Sequence, residues 1–233
     1  MARLLVHVEG QTEERFVNEL LRPHLKAFDY EHVSARLIGN SRQRDHRGGI
    51  VHGWPAVRQG IVNHLRQDPR CLVTTMIDFY GLPREGPKAW PGRDLAARKT
   101  FAEKPLTVEH ALCADIALAM GTDFNPKRFL PFVVMHEFEA LLFSDCEQFA
   151  QGIQQAKLAR SFGEIRAQFR CPEEINDSPQ TAPSKRVEAL VQGYQKPLLG
   201  AGAAERVGLA SMRKECPHFR DWLTQLESWP ATQ

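Results

Sequence analysis

Nothing in the 233 residues approaches the roughly 20 consecutive apolar residues that a membrane-spanning helix needs. The N-terminus also lacks the basic-then-apolar layout of a secretory signal, so the chain is expected in the cytoplasm, away from any membrane. Charge of one sign is missing too: 30 Lys and Arg stand against 28 Asp and Glu, a net of +2. A field of that size does not hold a polyanion, so any phosphate site has to be local. The five cysteines, Cys71, Cys113, Cys146, Cys171 and Cys216, include no C-x-x-C pair. That absence excludes the common zinc and dithiol patterns and points to reduced, mostly buried thiols. A nucleophilic cysteine would need a histidine such as His136 or His218 brought to it by the fold, and no local signature marks one. Neither G-x-G-x-x-G nor G-x-x-x-x-G-K-[ST] stands at any strand-to-helix junction, which removes the two commonest nucleotide-binding readings.

What is present is an alternation of strands and helices. Arg3 to Val8 reads as a short buried strand, and Thr12 as the N-cap of a helix with Phe16, Val17, Leu20, Leu21 and Leu25 on one face. His32 to Ile38 reads as a second strand, followed by the polar loop "GNSRQRDHRGG" and a helix from Pro55 to Gln67. "CLVTTMIDFYGLP" gives a third strand from Cys71 to Asp78, ended by Gly81 and Pro83. A helix over Val108 to Met120 leads to a fourth strand, Phe129 to Met135, and "FEALLFSD" reads as a short helix. Parallel neighbours need crossover connections, so this order predicts an α/β fold with a mostly parallel four-stranded sheet flanked by helices.

From Gln151 onward the pattern is helix and loop: Gln154 to Phe169, Ser184 to Tyr194, Ala203 to Lys214, and "HFRDWLTQLESW". With no Gly/Ser-rich or Pro-rich linker in between, the chain divides into an α/β core over 1–150 and a helical C-terminal extension over 151–233 packed on it.

Ligands of open parallel sheets bind outside the carboxyl ends of the strands, where helix N-termini converge. Acids stand at that edge three times: Glu9 after the first strand, Asp78 after the third, and Glu137 with Glu139 after the fourth. Carboxylates gathered there would repel one another, and a divalent cation is the usual remedy. Oxygen ligands imply a hard ion, magnesium or alternatively manganese. Glu9 has no capping duty and is followed by Gly10, which suits a tight turn. Glu13 and Glu14 fall in the first helical turn, where the dipole stabilises an acid by roughly 0.3–1 kcal/mol. Capping accounts for Glu14, whereas Glu13, with Gly10, is placed to support the metal from behind its ligands. Asp78 could simply begin a turn, and gains weight from Glu9. Of the last pair, one glutamate is expected to face the site, with Glu137 nearest the strand end, and the other to cap the helix.

"VEGQTEE" resembles the glutamate motif of the Toprim fold, shared by topoisomerases, primases and overcoming-lysogenisation-defect nucleases. Through "MIDFYGLP", "HEFEALLFSD", "PEEINDSPQTAPSKR" and "CPHFRDWL", nearly the whole chain resembles a family of uncharacterised bacterial proteins with a Toprim-like core. The resemblance implies a Toprim-like sheet, with Glu9 as the Toprim glutamate and Asp78 as the first aspartate of a D-x-D motif organising magnesium. The sequence departs at Tyr80, which takes the place of the second aspartate; Glu137 or Glu139 would have to replace it.

Phosphoryl chemistry also needs cations. "SRQRDHRGG" carries Arg42, Arg44, His46 and Arg47. The segment after Asp78 carries Arg84, Lys88, Arg93, Arg98, Lys99 and Lys104, with Trp90 and Phe101 available to stack on bases. A solvated charged surface is the plainer reading of such residues; nearness to Asp78 favours Arg93 and Lys99 as substrate contacts. "TAPSKR" sets Lys185 and Arg186 at a helix start that can present cations and N–H groups to an anion, or simply cap itself. Phe219, Trp222 and Leu223 read as core packing.

The expected function is therefore a magnesium-dependent nuclease acting on DNA or RNA. Glu9, Asp78 and Glu137 would be catalytic, and Glu139 a further metal ligand. The resemblance adds defence against foreign DNA beside an AAA-type ATPase. Two alternatives stay open: a non-catalytic nucleic-acid-binding or regulatory subunit of such an ATPase, and a hydrolase for a small phosphorylated molecule.

Overall fold

The strand read from Arg3 to Val8 is β1 (Ala2–Val8), and its inward residues Leu4, Val6 and Val8 are fully buried. In the computed structural model, which describes residues 2–38, 53–175 and 181–232, β1 lies inside an all-parallel sheet. β2 (Tyr30–Leu37) pairs with one side of β1 and β3 (Cys71–Asp78) with the other. Every residue of β3 from Cys71 to Ile77 is buried, as a strand covered by helices on both faces requires.

The expected fourth strand is divided into β4 (Phe129–Leu130) and β5 (Val133–Val134), both parallel to β3. Pro131, between them, has no N–H for the ladder. The Thr75 hydroxyl fills the gap, donating to the Phe132 carbonyl and accepting the Phe132 N–H, each at 3.0 Å. β5 is also held from the side: its Val133 N–H donates to Glu109 Oε1 at 2.8 Å, and that oxygen meets His218 Nε2 at 2.9 Å.

Helix α1 (Gln11–Phe16) continues through one π turn, Val17–Leu21, into α2 (Arg22–Leu25). Its N-cap is Gly10, not Thr12: the chain turns into the helix directly after β1, which places Thr12 inside the first turn and buries it. The opposite face of the sheet is covered by α3 (Trp54–Gln67) and α5 (Glu103–Met120), with the short α4 (Arg93–Ala96) between them in sequence. The loop carrying Arg42, Arg44, His46 and Arg47 lies outside the described residues.

After β5 come α6 (Glu139–Leu142), α7 (Cys146–Gly152), α8 (Ala159–Arg166), α9 (Pro183–Leu190), α10 (Ala201–Glu215) and α11 (Pro217–Ser228). The helix expected from Gln154 is shorter, because Gln154 is left-handed (φ 60) and only a 3-10 turn precedes α8. The helix expected to reach Tyr194 stops at Leu190, and α10 is kinked at Gly208 (φ 72). Side chains from α7, α8, α10 and α11 enter the same apolar core as β1 and α1. At its centre Trp222 stacks on Phe132 at 4.4 Å, and its Nε1–H donates to Thr74 Oγ1 at 3.0 Å. Among the described residues no helix is long and apolar enough to cross a membrane.

Trp222→Ala should therefore cost about 3–5 kcal/mol of stability, the range for emptying a buried aromatic site. Trp222→Phe should recover most of the stacking and lose the bond to Thr74. Urea unfolding of the two variants checks both expectations.

Candidate functional site

Because β1 and β3 are neighbours with Val8 opposite Met76, Glu9 and Asp78 leave the sheet side by side. Glu9 Oε2 accepts the main-chain N–H of Asp78 at 3.2 Å. Gly10 is extended (φ −135, ψ −179), and its carbonyl accepts the Glu14 N–H at 3.1 Å. A Cβ on Gly10 would lie 2.8 Å from Glu13 Oε2, so only glycine leaves room for that carboxylate to fold back. There the main-chain N–H groups of Gly10 and of Glu13 itself act on the carboxylate and oppose the rise that burial imposes on it. Glu13 thus stands in the first turn of the helix and lies buried at the site.

Glu137 and Glu139 are aimed by a tight turn. His136 is left-handed (φ 66), and the Glu137 N–H closes a three-residue turn on the Met135 carbonyl at 3.1 Å. Such a conformation is uncommon for histidine and stores strain of the kind found at functional sites. Beyond it, Glu137 Oε2 accepts the Ser184 N–H at 2.9 Å, while Glu139 is 2% exposed. Both glutamates face the cluster, where only one was expected to, because α6 starts so close to the turn that its first residue points the same way.

The cation at the centre is Lys196, whose Nζ lies 3.5 Å from Glu137 and 3.4 Å from Glu139. Burial pushes Glu9 up to about 8, with the charge of Glu13 adding to it, and pushes Glu13 up to about 7, with Glu139 adding. Burial, then Glu9 and Glu13, hold Asp78 well above the usual carboxylate range. Glu139 is raised by burial, which outweighs the opposing pull of Lys196. Burial opposes the charge on Lys196, but Glu139, Glu137 and Asp78 raise its pKa nonetheless. Asp78 Oδ1 is buried and accepts no hydrogen bond among the described residues. The Tyr194 hydroxyl is likewise buried and unpartnered there; burial and the nearby Glu139 and Glu137 keep it protonated.

The other basic residues singled out in the sequence are less central. Arg93 sits just past Asp78, its Nε–H donating to the Phe79 carbonyl at 3.2 Å and its guanidinium 3.9 Å from the centre of the Phe79 ring. Lys99 is exposed beyond α4. Lys185 pairs with Glu188 at 2.5 Å, and Arg186 donates to the Thr181 carbonyl at 3.0 Å. What "TAPSKR" brings to the acids is the Ser184 N–H. Trp90 cannot stack on a base: it is 2% exposed and packed on Trp54 at 5.0 Å, because the turn carrying it folds against α3. Phe101 packs on the His136 ring at 5.8 Å, behind the turn. Tyr80, in the place expected for a second aspartate, lies within the field of Arg93.

Lys196 and Tyr194 have no counterpart in the sequence reading. They sit in "GYQKPLLG", where no motif or periodicity marks them, and only the fold returns that segment to the sheet edge. Among the described residues no three His, Cys, Asp or Glu side chains form a ready-made metal cage.

The family described as "Domain of unknown function (DUF4276)" matches residues 8–227. No curated protein matches the chain. Among solved structures, the C-terminal region of the Xanthomonas campestris pv. campestris OLD protein is similar at a TM-score of 0.46 and 12% identity, over 100% of this chain and 98% of that one.

A carboxyl whose folded pKa is raised contributes stability below its unfolded pKa and loses it as pH rises through the folded value. The cluster should therefore destabilise the protein between about pH 5 and pH 8, with Lys196 limiting the loss. Lys196→Met should cost little at pH 5 and about 1–3 kcal/mol at pH 8, the buried-pair cost reduced for partial exposure. Thermal melts in EDTA at the two pH values check this; equal losses at both would contradict it.

Proposed function

The chain belongs to the DUF4276 family, and we propose that its carboxylate edge is a Toprim-like, divalent-cation-dependent centre hydrolysing phosphodiester bonds in DNA or RNA. The observation that carries the reading is the buried, unpartnered Asp78 Oδ1 beside Glu9, in a cluster where burial pushes Glu9, Glu13, Asp78 and Glu139 towards protonation. A hard cation supplies what such a cluster lacks. The donor set, all carboxylate oxygen, suits magnesium or manganese, which bind through one or two carboxylates and fill the remaining positions with water and phosphate oxygens.

Glu9, Asp78 and Glu137 would hold the ion, with Glu139 as a further ligand. Bound there, the ion would activate a water and offset charge developing on the phosphate. The chain's own residues supply the rest. Glu13 and Gly10 fix the entry to α1, and with it the position of Glu9. The Ser184 N–H fixes Glu137, and Lys196 presents a positive charge to the phosphate. Arg93 and Lys99 would follow the strand on one side, and Lys185 and Arg186 on the other. Placement in the cytoplasm, service in defence against foreign DNA and partnership with an AAA-type ATPase belong to the same proposal. The defence role and the ATPase partner rest on the sequence resemblance alone.

The ion pairs of Lys196 favour one rival: a binding module in which this lysine, not a metal, neutralises Glu137 and Glu139. Glu9→Gln separates the two. With plasmid, single-stranded DNA and RNA as substrates and magnesium or manganese added, it should lower cleavage by more than about 100-fold, beyond the cost of losing a supporting contact. Its circular dichroism and melting should show an intact fold. Full cleavage by the variant would sink the mechanism.

A further inference from the structure

Tyr194 reaches the site by a sharp reversal. Gly193 is left-handed (φ 76), and the Tyr194 N–H binds the Val191 carbonyl at 3.3 Å, in a reversal that brings the phenol into the field of Glu139 and Glu137. The ring enters the seam between α1 and the Lys196–Gly200 turn. A Cβ on Gly200 would stand 3.3 Å from the phenol oxygen and 3.2 Å from Thr12 Cγ2, so glycine keeps that space clear. The charges acting on the hydroxyl are those of Glu139, Glu137 and Glu188. None of these carboxylates accepts from it, while Lys196, two residues on, contacts both Glu137 and Glu139. A buried donor left without an acceptor lowers stability, and native proteins rarely keep one without a use.

We propose that Tyr194 is a substrate-contacting residue of this centre, its hydroxyl donating a hydrogen bond to a non-bridging oxygen of the phosphodiester held between the carboxylates and Lys196. The assignment rests on the reading of the preceding subsection. A phosphate oxygen is a pure acceptor, and it supplies the one partner that the phenol lacks among the described residues. Lys196 would bring charge to the phosphate and Tyr194 direction, from a single short segment.

Tyr194→Phe tests the assignment through two readouts, beside Glu9→Gln. In magnesium-dependent cleavage, Tyr194→Phe should lower kcat/KM by about 100-fold, the usual effect of removing one donor aimed at a reacting group. In thermal melting without substrate it should be no less stable than the parent, because the group removed has no partner to lose. A melting temperature lowered by about 2–4 °C or more would show a structural, water-bridged hydroxyl and overturn the proposal. So would wild-type cleavage by Tyr194→Phe alongside an inactive Glu9→Gln, which would leave the metal-centre reading standing. Cleavage undiminished in Glu9→Gln, or no cleavage by the parent, would bring down that reading and the phosphate contact with it.

Discussion

The carboxylates of Glu9, Glu13, Asp78, Glu137 and Glu139 share the sheet edge with the ammonium of Lys196, and the cost of burying acids together, with their repulsion adding to it, is the constraint around which the structure is arranged. Acids buried along one edge stay together only if the backbone holding them cannot relax. The adjacent parallel strands β1 and β3 fix Glu9 against Asp78. The absence of a side chain at Gly10 lets Glu13 fold inward. The strained turn at His136 fixes the remaining pair.

The restraints on β5 belong to the same arrangement. A two-residue strand has little ladder bonding of its own, yet it carries the His136 turn. Thr75 bridges the gap left by Pro131, and Glu109 holds Val133 while meeting His218 of α11. Burial opposes a charge on His218, but its hydrogen bond to Glu109 raises its pKa above the ordinary value. The helices after residue 150 therefore do more than cover apolar surface. They supply Ser184 to Glu137, Lys196 to the acid pair, and an anchor to the strand that aims both.

Much of the scaffold was legible in the sequence, because strands buried on both faces read as uninterrupted apolar runs and acids at their carboxyl ends have few other duties. Glu9 and Asp78 were visible for that reason. Glu13 was expected behind the ligands together with Gly10, but nothing local shows that its carboxylate turns inward over that glycine. Trp90 was misplaced because an aromatic among arginines reads alike whether it faces solvent or, as here, Trp54. Lys196 and Tyr194 were invisible, for their role comes wholly from tertiary return. The resemblance placed Tyr80 where a second aspartate would stand, and the fold sets acids from the next strand, Glu137 and Glu139, at the same edge.

Calorimetric titration of manganese into the protein at pH 7, repeated in buffers of different ionisation heat, is the most direct test of whether this edge is a cation site. Glu9, which burial pushes up to about 8, must give up its proton to a bound ion. The account predicts saturable binding with net release of about one proton, and loss of both signals in Asp78→Asn. Binding that is absent, or that is independent of buffer and of Asp78, would contradict it.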